Sequence, residues 1–123
     1  MREILFRGKR IDNEVWAEGD LIHSPDGRVA ISTDDGLLEV QSVTIDQYTG
    51  LNDRNDRKIF EGDILKLTYD YEESFYVVFW SAEDAMWKIR AMDVGSADDM
   101  SYWHWAEWEV VGNTFDNPEL VSG

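Results

Sequence analysis

Short alternating runs of hydrophobic and polar residues recur along the whole chain, and they predict a protein built from β-strands. Residues 15–22 alternate at a period of two, as a strand with one buried face does. Residues 75–80, FYVVFW, are six consecutive β-favouring residues and predict the central strand. About nine such runs are separated by turn signals. They are residues 4–6, 15–22, 28–32, 37–40, 43–48, 64–69, 75–80, 86–91 and 105–111.

Turn residues separate these runs and leave no helix of ordinary length. The sequences SPDG at 24–27 and DDG at 34–36 predict two tight turns, so the first half of the chain forms a meander of hairpins. RGKR at 7–10 predicts a turn after the first strand. Residues 93–101 are small and acidic and predict a loop, with a short helix from Ser96 as the alternative. Gly112 and Asn113 are predicted to break the last strand.

The fold predicted by this pattern is mainly β: a small barrel or sandwich built from meanders, with at most one or two short helical turns. A chain of 123 residues without a linker-like stretch fits one domain, residues 1–123. Within that domain, residues 47–63 predict a junction between two sub-units, 1–50 and 58–120.

Acidic charge narrows the classes of partner. The net charge is −15, and residues 69–123 carry most of it, because Lys88 and Arg90 are the only cations there. A nucleic-acid-binding protein needs cations to neutralise phosphates, so direct binding to DNA or RNA is disfavoured. An acidic surface instead serves solubility, docks on a basic partner, or imitates a nucleic-acid backbone.

No pattern in the sequence predicts catalysis, a cofactor or a metal site. The chain lacks cysteine, which excludes thiolate chemistry and fits a reducing cytoplasm. His23 and His104 are the only histidines, and neither has ligand-spaced partners for zinc or iron. Neighbouring carboxylates are expected by chance among 26 acidic residues. No catalytic, cofactor-binding or metal-binding residue is therefore assigned, and no stretch is apolar enough to predict a membrane span.

The most aromatic segment is WHWAEW at 103–108. On a strand, Trp103 and Trp105 lie on one face and Trp108 on the other. At least one face is expected to join the core. The alternative is an exposed anchor, since Trp is enriched in binding hot spots. The candidate interaction surface consists of Trp103, His104, Trp105 and Trp108.

Three motifs resemble the YopX family of phage and prophage proteins: QYTGLND at 47–53, EGDI at 61–64 and EVVGN at 109–113. Residues 1–6, 16–22 and 113–120 also resemble that family, so the resemblance spans nearly the whole chain. The family usually has Asn-Gly where this chain has Asn55-Asp56. Because Asp enters the left-handed region at a modest cost, we expect this turn to persist with some strain.

The resemblance implies a mostly β, phage- or prophage-encoded protein in the cytoplasm of the bacterial host, without established catalytic residues or cofactors and assembling into homo-oligomers. Its motif residues are expected to be structural: Tyr48, Gly50, Leu51, Gly62, Asp63, Gly112 and Asn113. The segment DILKL at 63–67, with the apolar strand after it, also resembles the opening of an SH3-like barrel.

These observations predict a non-enzymatic accessory protein that binds an unknown host or phage protein. One alternative is an acidic decoy that imitates nucleic acid and occupies a basic DNA- or RNA-binding protein. The other is an enzyme or small-ligand binder of unknown type.

Overall fold

The computed structural model describes residues 3–92, 97–99 and 107–120. The chain divides into two compact units, Met1–Gly50 and Leu51–Gly123. Both consist of antiparallel strands, and the helical elements named among the described residues are the short 3-10 turns Ser42–Thr44 and Pro118–Leu120. The predicted mainly β fold is confirmed. Over the described residues, neither sheet closes into a barrel.

Two sheets contain all the named strands. The first has the strand order β4-β3-β2-β1-β5-β6, and the second has the order β10-β9-β8-β7-β11. The strands are β1 Phe6–Lys9, β2 Trp16–His23, β3 Val29–Thr33, β4 Gly36–Val40, β5 Asp46–Asn52, β6 Lys58–Phe60, β7 Asp63–Tyr69, β8 Glu72–Ser81, β9 Met86–Ala91, β10 Ala97–Asp99 and β11 Trp108–Asn113.

The first unit is a meander around a small core. The first half of β2 pairs with β1 and its second half with β3, so the strand changes partner at Gly19. A Cβ atom on Gly19 would lie 2.0 Å from the carbonyl oxygen of Ser32. Only glycine avoids this collision. The core cluster and the half-buried residues against it are Ala17, Val29, Ile31, Val40, Phe6, Leu21, Leu38 and Ile45.

Both tight turns predicted in this unit are present. The backbone N–H of Gly27 donates to the Ser24 carbonyl oxygen at 3.0 Å, and Gly27 has a φ of 92°. At the next turn, Thr33 pairs with Gly36 across a two-residue loop. The predicted meander of hairpins is therefore confirmed.

The second unit is centred on β8, as its apolar sequence predicts. The core of this unit consists of Ile59 on β6 and of six residues on strands of the second sheet: Leu65, Leu67, Val78, Ile89, Trp108 and Val110. The rings of Tyr76 and Trp108 meet edge to face, with centroids 5.0 Å apart. Since aromatic side chains each bury about 150–250 Å², this pair contributes a large share of the apolar burial.

Two predicted breaks are wrong, and both involve a glycine that packs inside a strand. Residues 7–10 are not a turn, because Gly8 lies in β1 and its missing side chain lets Val40 approach. Gly112 does not end the last strand. It lies in β11 beside a register shift, where a Cβ atom would come within 2.5 Å of Asn117 Oδ1.

Three strand boundaries also differ from the prediction. Residues 42–44 form a 3-10 turn rather than strand, because buried Thr44 bonds the backbone of Lys9 and Gln41. β8 begins at Glu72, because Asp70 and Tyr71 both have positive φ and form a two-residue hairpin turn. Residues 97–99 form β10 against β9, so the loop and the short helix from Ser96 are both wrong there.

Among the described residues, no helix has the length and apolar character needed to cross a membrane.

Replacing Gly19 with alanine should destabilise the first unit. The added methyl group collides with backbone rather than with a side chain that can move, so we expect a loss of about 2–3 kcal/mol in the free energy of unfolding. Glu18→Ala, one residue away, is the control and should change stability by less than about 0.5 kcal/mol. Denaturant unfolding followed by circular dichroism measures both. Equal stability of the two variants would contradict the close approach of the Ser32 carbonyl oxygen to Gly19.

Candidate functional site

A buried carboxylate, that of Asp53, joins three backbone N–H groups of the second unit, and the residue is 3% exposed. Its Oδ1 accepts the backbone N–H groups of Asn55 and Arg57, each at 2.9 Å. Its Oδ2 accepts the backbone N–H of Val110 at 2.8 Å. A buried carboxylate is stable when such donors replace water, so this one needs all three.

Asp53 thereby joins the β5–β6 loop to the last strand. The backbone N–H of Asp53 donates to the Arg57 carbonyl oxygen, which closes the loop, and the N–H of Arg54 donates to the Trp108 carbonyl oxygen at 2.9 Å. The loop and β11 are 57 residues apart in sequence where Asp53 meets Val110. The motif QYTGLND at 47–53 ends in Asp53, and the hydrogen bonds of this carboxylate hold the backbone of the loop and of β11 together.

Glycines and polar side chains of the other motifs shape the backbone. Gly50 and Gly62 have φ values of 90° and 82°, a region that favours glycine. Asp63 Oδ2 accepts the N–H of Phe60 at 2.7 Å. Asn113 Oδ1 accepts the N–H groups of Phe115 and Asp116, which turns the chain after β11.

Both apolar residues of the first motif pack inward. Tyr48 is buried, and its backbone N–H donates to the Leu5 carbonyl oxygen at 2.8 Å. Leu51 packs against the core of the second unit.

The predicted aromatic surface is only partly within the described residues. Trp103, His104 and Trp105 lie outside them. Trp108 has 0% exposure and lies in the core cluster of the second unit, so it is not an exposed anchor. Alternation along a strand predicts Trp108 on the face opposite Trp103 and Trp105. The face that Trp108 occupies is core.

Among the described residues, no group of three or more His, Asp or Glu side chains is arranged to hold a metal ion. His23 is exposed at the end of β2.

An open groove of about 470 Å³ lies on the first unit, with an acidic lining. The residues that line it are Glu18, Gly19, Asp20, Ser32, Thr33, Asp34 and Asp35.

A second candidate site, which sequence reasoning missed, is the face of β8 and β9 that points away from the core. Tyr76, Val78 and Ile89 belong to the core side, so alternation places their strand neighbours on the other side. We call this the β8–β9 outer face, and it consists of Phe75, Val77, Phe79, Lys88 and Arg90. It is apolar along β8 and cationic along β9.

The two cations of this face have different surroundings. Lys88 forms an ion pair with Asp84, four residues earlier, and its hydrogen bond and charge lower the pKa of the Asp84 carboxyl. Arg90 is exposed, and its guanidinium carbon lies 4.7 Å from the centre of the Phe79 ring. The sequence signal was available: Lys88 and Arg90 are two apart on a strand and so share a face.

A comparison with protein families matches residues 5–122 to the family described as YopX protein. The chain belongs to the YopX family. Among solved structures, it is similar to protein EF1440 from Enterococcus faecalis, with a TM-score of 0.61 and 20% sequence identity, covering 98% of this chain and 99% of that chain. At this identity the likeness shows the fold alone. A search of curated proteins found no match.

For this YopX family member, we predict that Asp53→Asn lowers the free energy of unfolding by about 2–3 kcal/mol. Asparagine keeps one acceptor oxygen, but its amide group either faces the Val110 N–H or leaves the two loop N–H groups without their acceptor. Asp56→Asn, on the exposed side of the same loop, is the matched control and should stay within about 0.5 kcal/mol of the parent chain. Chemical denaturation checks both, and an unchanged midpoint for Asp53→Asn would refute the role given to the carboxylate.

Position 56 allows a prediction of the opposite sign. Asp56 has a φ of 62°, so the predicted turn is present and its second residue is left-handed. Glycine, which the family usually has here, adopts this conformation without strain. Asp56→Gly should therefore raise the free energy of unfolding, by about 0.5 kcal/mol, despite losing the Asn52 hydrogen bond to Asp56 Oδ1. Thermal unfolding measures the change. If the free energy of unfolding instead falls by more than about 1 kcal/mol, the hydrogen bond to Asn52 outweighs the strain at position 56.

Proposed function

We propose that this chain is a phage- or prophage-encoded accessory protein that acts in the host cytoplasm by binding protein partners and performs no chemistry of its own. One observation carries the proposal: the β8–β9 outer face presents exposed aromatic surface beside an exposed arginine. Phe75 is 37% exposed, and Arg90 lies on the neighbouring strand. Aromatic residues and arginine are the side chains most enriched in protein–protein interfaces.

Membership of the YopX family supports the proposal in a limited way. The family motifs of this chain shape its backbone around Asp53, Gly62 and Asn113, so they supply structure and not a reaction. The β8–β9 outer face is exposed at Phe75 and Arg90, which leaves these two side chains available to a partner. A second copy of the chain is included among the proposed partners.

The acidic decoy is the second candidate, and the groove on the first unit favours it. Four carboxylates line that groove, and no lysine or arginine is among its lining residues. Its partner would be a basic DNA- or RNA-binding protein. The exposed acids of the described residues also occur on loops of both units, as at Asp26 and Glu83, and a decoy needs them along one continuous face.

Site-specific crosslinking tests the protein-binding proposal. Because the chain has no cysteine, Phe75→Cys and Leu37→Cys each introduce one site for a thiol-reactive benzophenone. Leu37 is exposed in the first unit and is the matched control. In lysate of prophage-carrying cells, we expect a discrete adduct from position 75 that excess unlabelled chain prevents, and none from position 37.

Mass spectrometry of the adduct identifies the partner or a second copy. Equal labelling from both positions, or no adduct from position 75, would overturn the proposal.

A further inference from the structure

We infer that the β8–β9 outer face binds an extended acidic segment of a protein partner, with a carboxylate on Arg90 and an apolar side chain against Phe75. This inference rests on the proposed function and names the chemistry of the partner. Four features carry it: the surroundings of Arg90, the ring beneath it, the engagement of the neighbouring lysines, and the spacing along β8.

Apolar residues flank Arg90 across both neighbouring strands. It pairs with Val77 on β8 and with Ala97 on β10, so neither opposite position offers a carboxylate. Among the described residues, Arg90 has no ion pair within 4.0 Å. Among the described residues, the exposed Arg54 and Arg57 also have no such ion pair, and Arg90 differs from them because it lies over the Phe79 ring.

The Phe79 ring lies beneath the Arg90 guanidinium. A guanidinium held over an aromatic face, here at 4.7 Å, is attracted to the ring, while its N–H groups point outward in its own plane. Those N–H groups match the two oxygens of a carboxylate in a bidentate pair. Lysine at this position would offer only a point charge.

The lysines on the same side of the sheet are already engaged. Lys88 is paired with Asp84, and β10 places Asp99 at the register position opposite it. Lys66 Nζ on β7 lies 3.3 Å from Glu109 Oε2 on β11, which makes an ion pair between the two strands. A new carboxylate would therefore compete for either lysine, and it would meet no competitor among the described residues at Arg90.

Strand spacing sets the pattern that a ligand must have. Phe75 and Val77 are two residues apart on β8, which separates them by about 6.6–6.8 Å along the strand. Arg90 lies in the same cross-strand row as Val77. An extended segment lying along β8 has the same spacing, so a carboxylate over Arg90 places the residue two positions away over Phe75.

The overall acidity of the chain makes this contact selective. A net charge of −15 repels an acidic segment at long range, although salt screens that repulsion beyond about 8 Å at physiological ionic strength. Binding then depends on close contact with Arg90 and on apolar burial. Segments that are acidic without a suitably spaced apolar residue are rejected.

Peptide titration tests the inference. The probes are two seven-residue peptides, SGESLGS and its neutral counterpart SGQSLGS, added to the 15N-labelled full-length chain. We expect the acidic peptide to shift the amide resonances of residues 75–79 and 88–91 and to bind about tenfold or more tightly than the neutral one. Arg90→Gln should remove that preference, and Arg90→Lys should restore part of it. Arg54→Gln, an exposed arginine of the same unit outside this face, should leave it unchanged.

Three outcomes would overturn the inference: equal affinity of the two peptides for the parent chain, shifts that map elsewhere, or no binding at millimolar peptide. Crosslinking from position 75 separates this failure from failure of the proposed function. An adduct that persists in the Arg90→Gln background keeps the protein-binding proposal and removes the acidic specificity. Absence of the adduct from Phe75→Cys when Arg90 is intact removes both.

Discussion

The second unit depends on one buried carboxylate, that of Asp53. It accepts three backbone N–H groups, two from its own loop and one from β11, and so fixes the loop and the last strand together. The interaction is costly to lose because each donor would be left without its acceptor in a site that excludes water. Trp108, on the same strand as Val110, belongs to the core cluster of this unit.

A fixed sheet has consequences for its two faces. The core cluster occupies one face, and the strand period of two puts the alternate residues of β8 and β9 on the other. Lys88 and Arg90 lie there beside Phe75 and Phe79, and they are the only cations of residues 69–123, the more acidic half of the chain. The structural motifs and the proposed binding face are thus separate, and a family motif need not lie at the site of function.

Much of the fold follows from local pattern. The turn at Ser24–Gly27, the meander of β2 to β4 and the central position of β8 are all readable from period-two alternation and turn residues. Glycine was the main source of error. Gly8 and Gly112 lie inside strands where another part of the chain approaches closely, and a close approach between distant residues leaves no local signal.

The site was less predictable than the fold. Asp53 belongs to a recognised motif, but its bond to Val110 spans 57 residues and cannot be read from spacing. Trp108 shows the same limit, because composition alone does not say which face of a strand is core. The alternation of β9 alone predicts that Arg90 shares a face with Lys88, opposite buried Ile89.

Native-state hydrogen exchange of the unmodified chain tests the role of Asp53 most directly. If the carboxylate fixes the loop to β11, the amide protons of Asn55 and Arg57 should be protected almost as strongly as those of β8, although both residues are exposed. Val110 should share their protection. Exchange of Asn55 and Arg57 at the rate of an open loop, with β8 protected, would contradict the account.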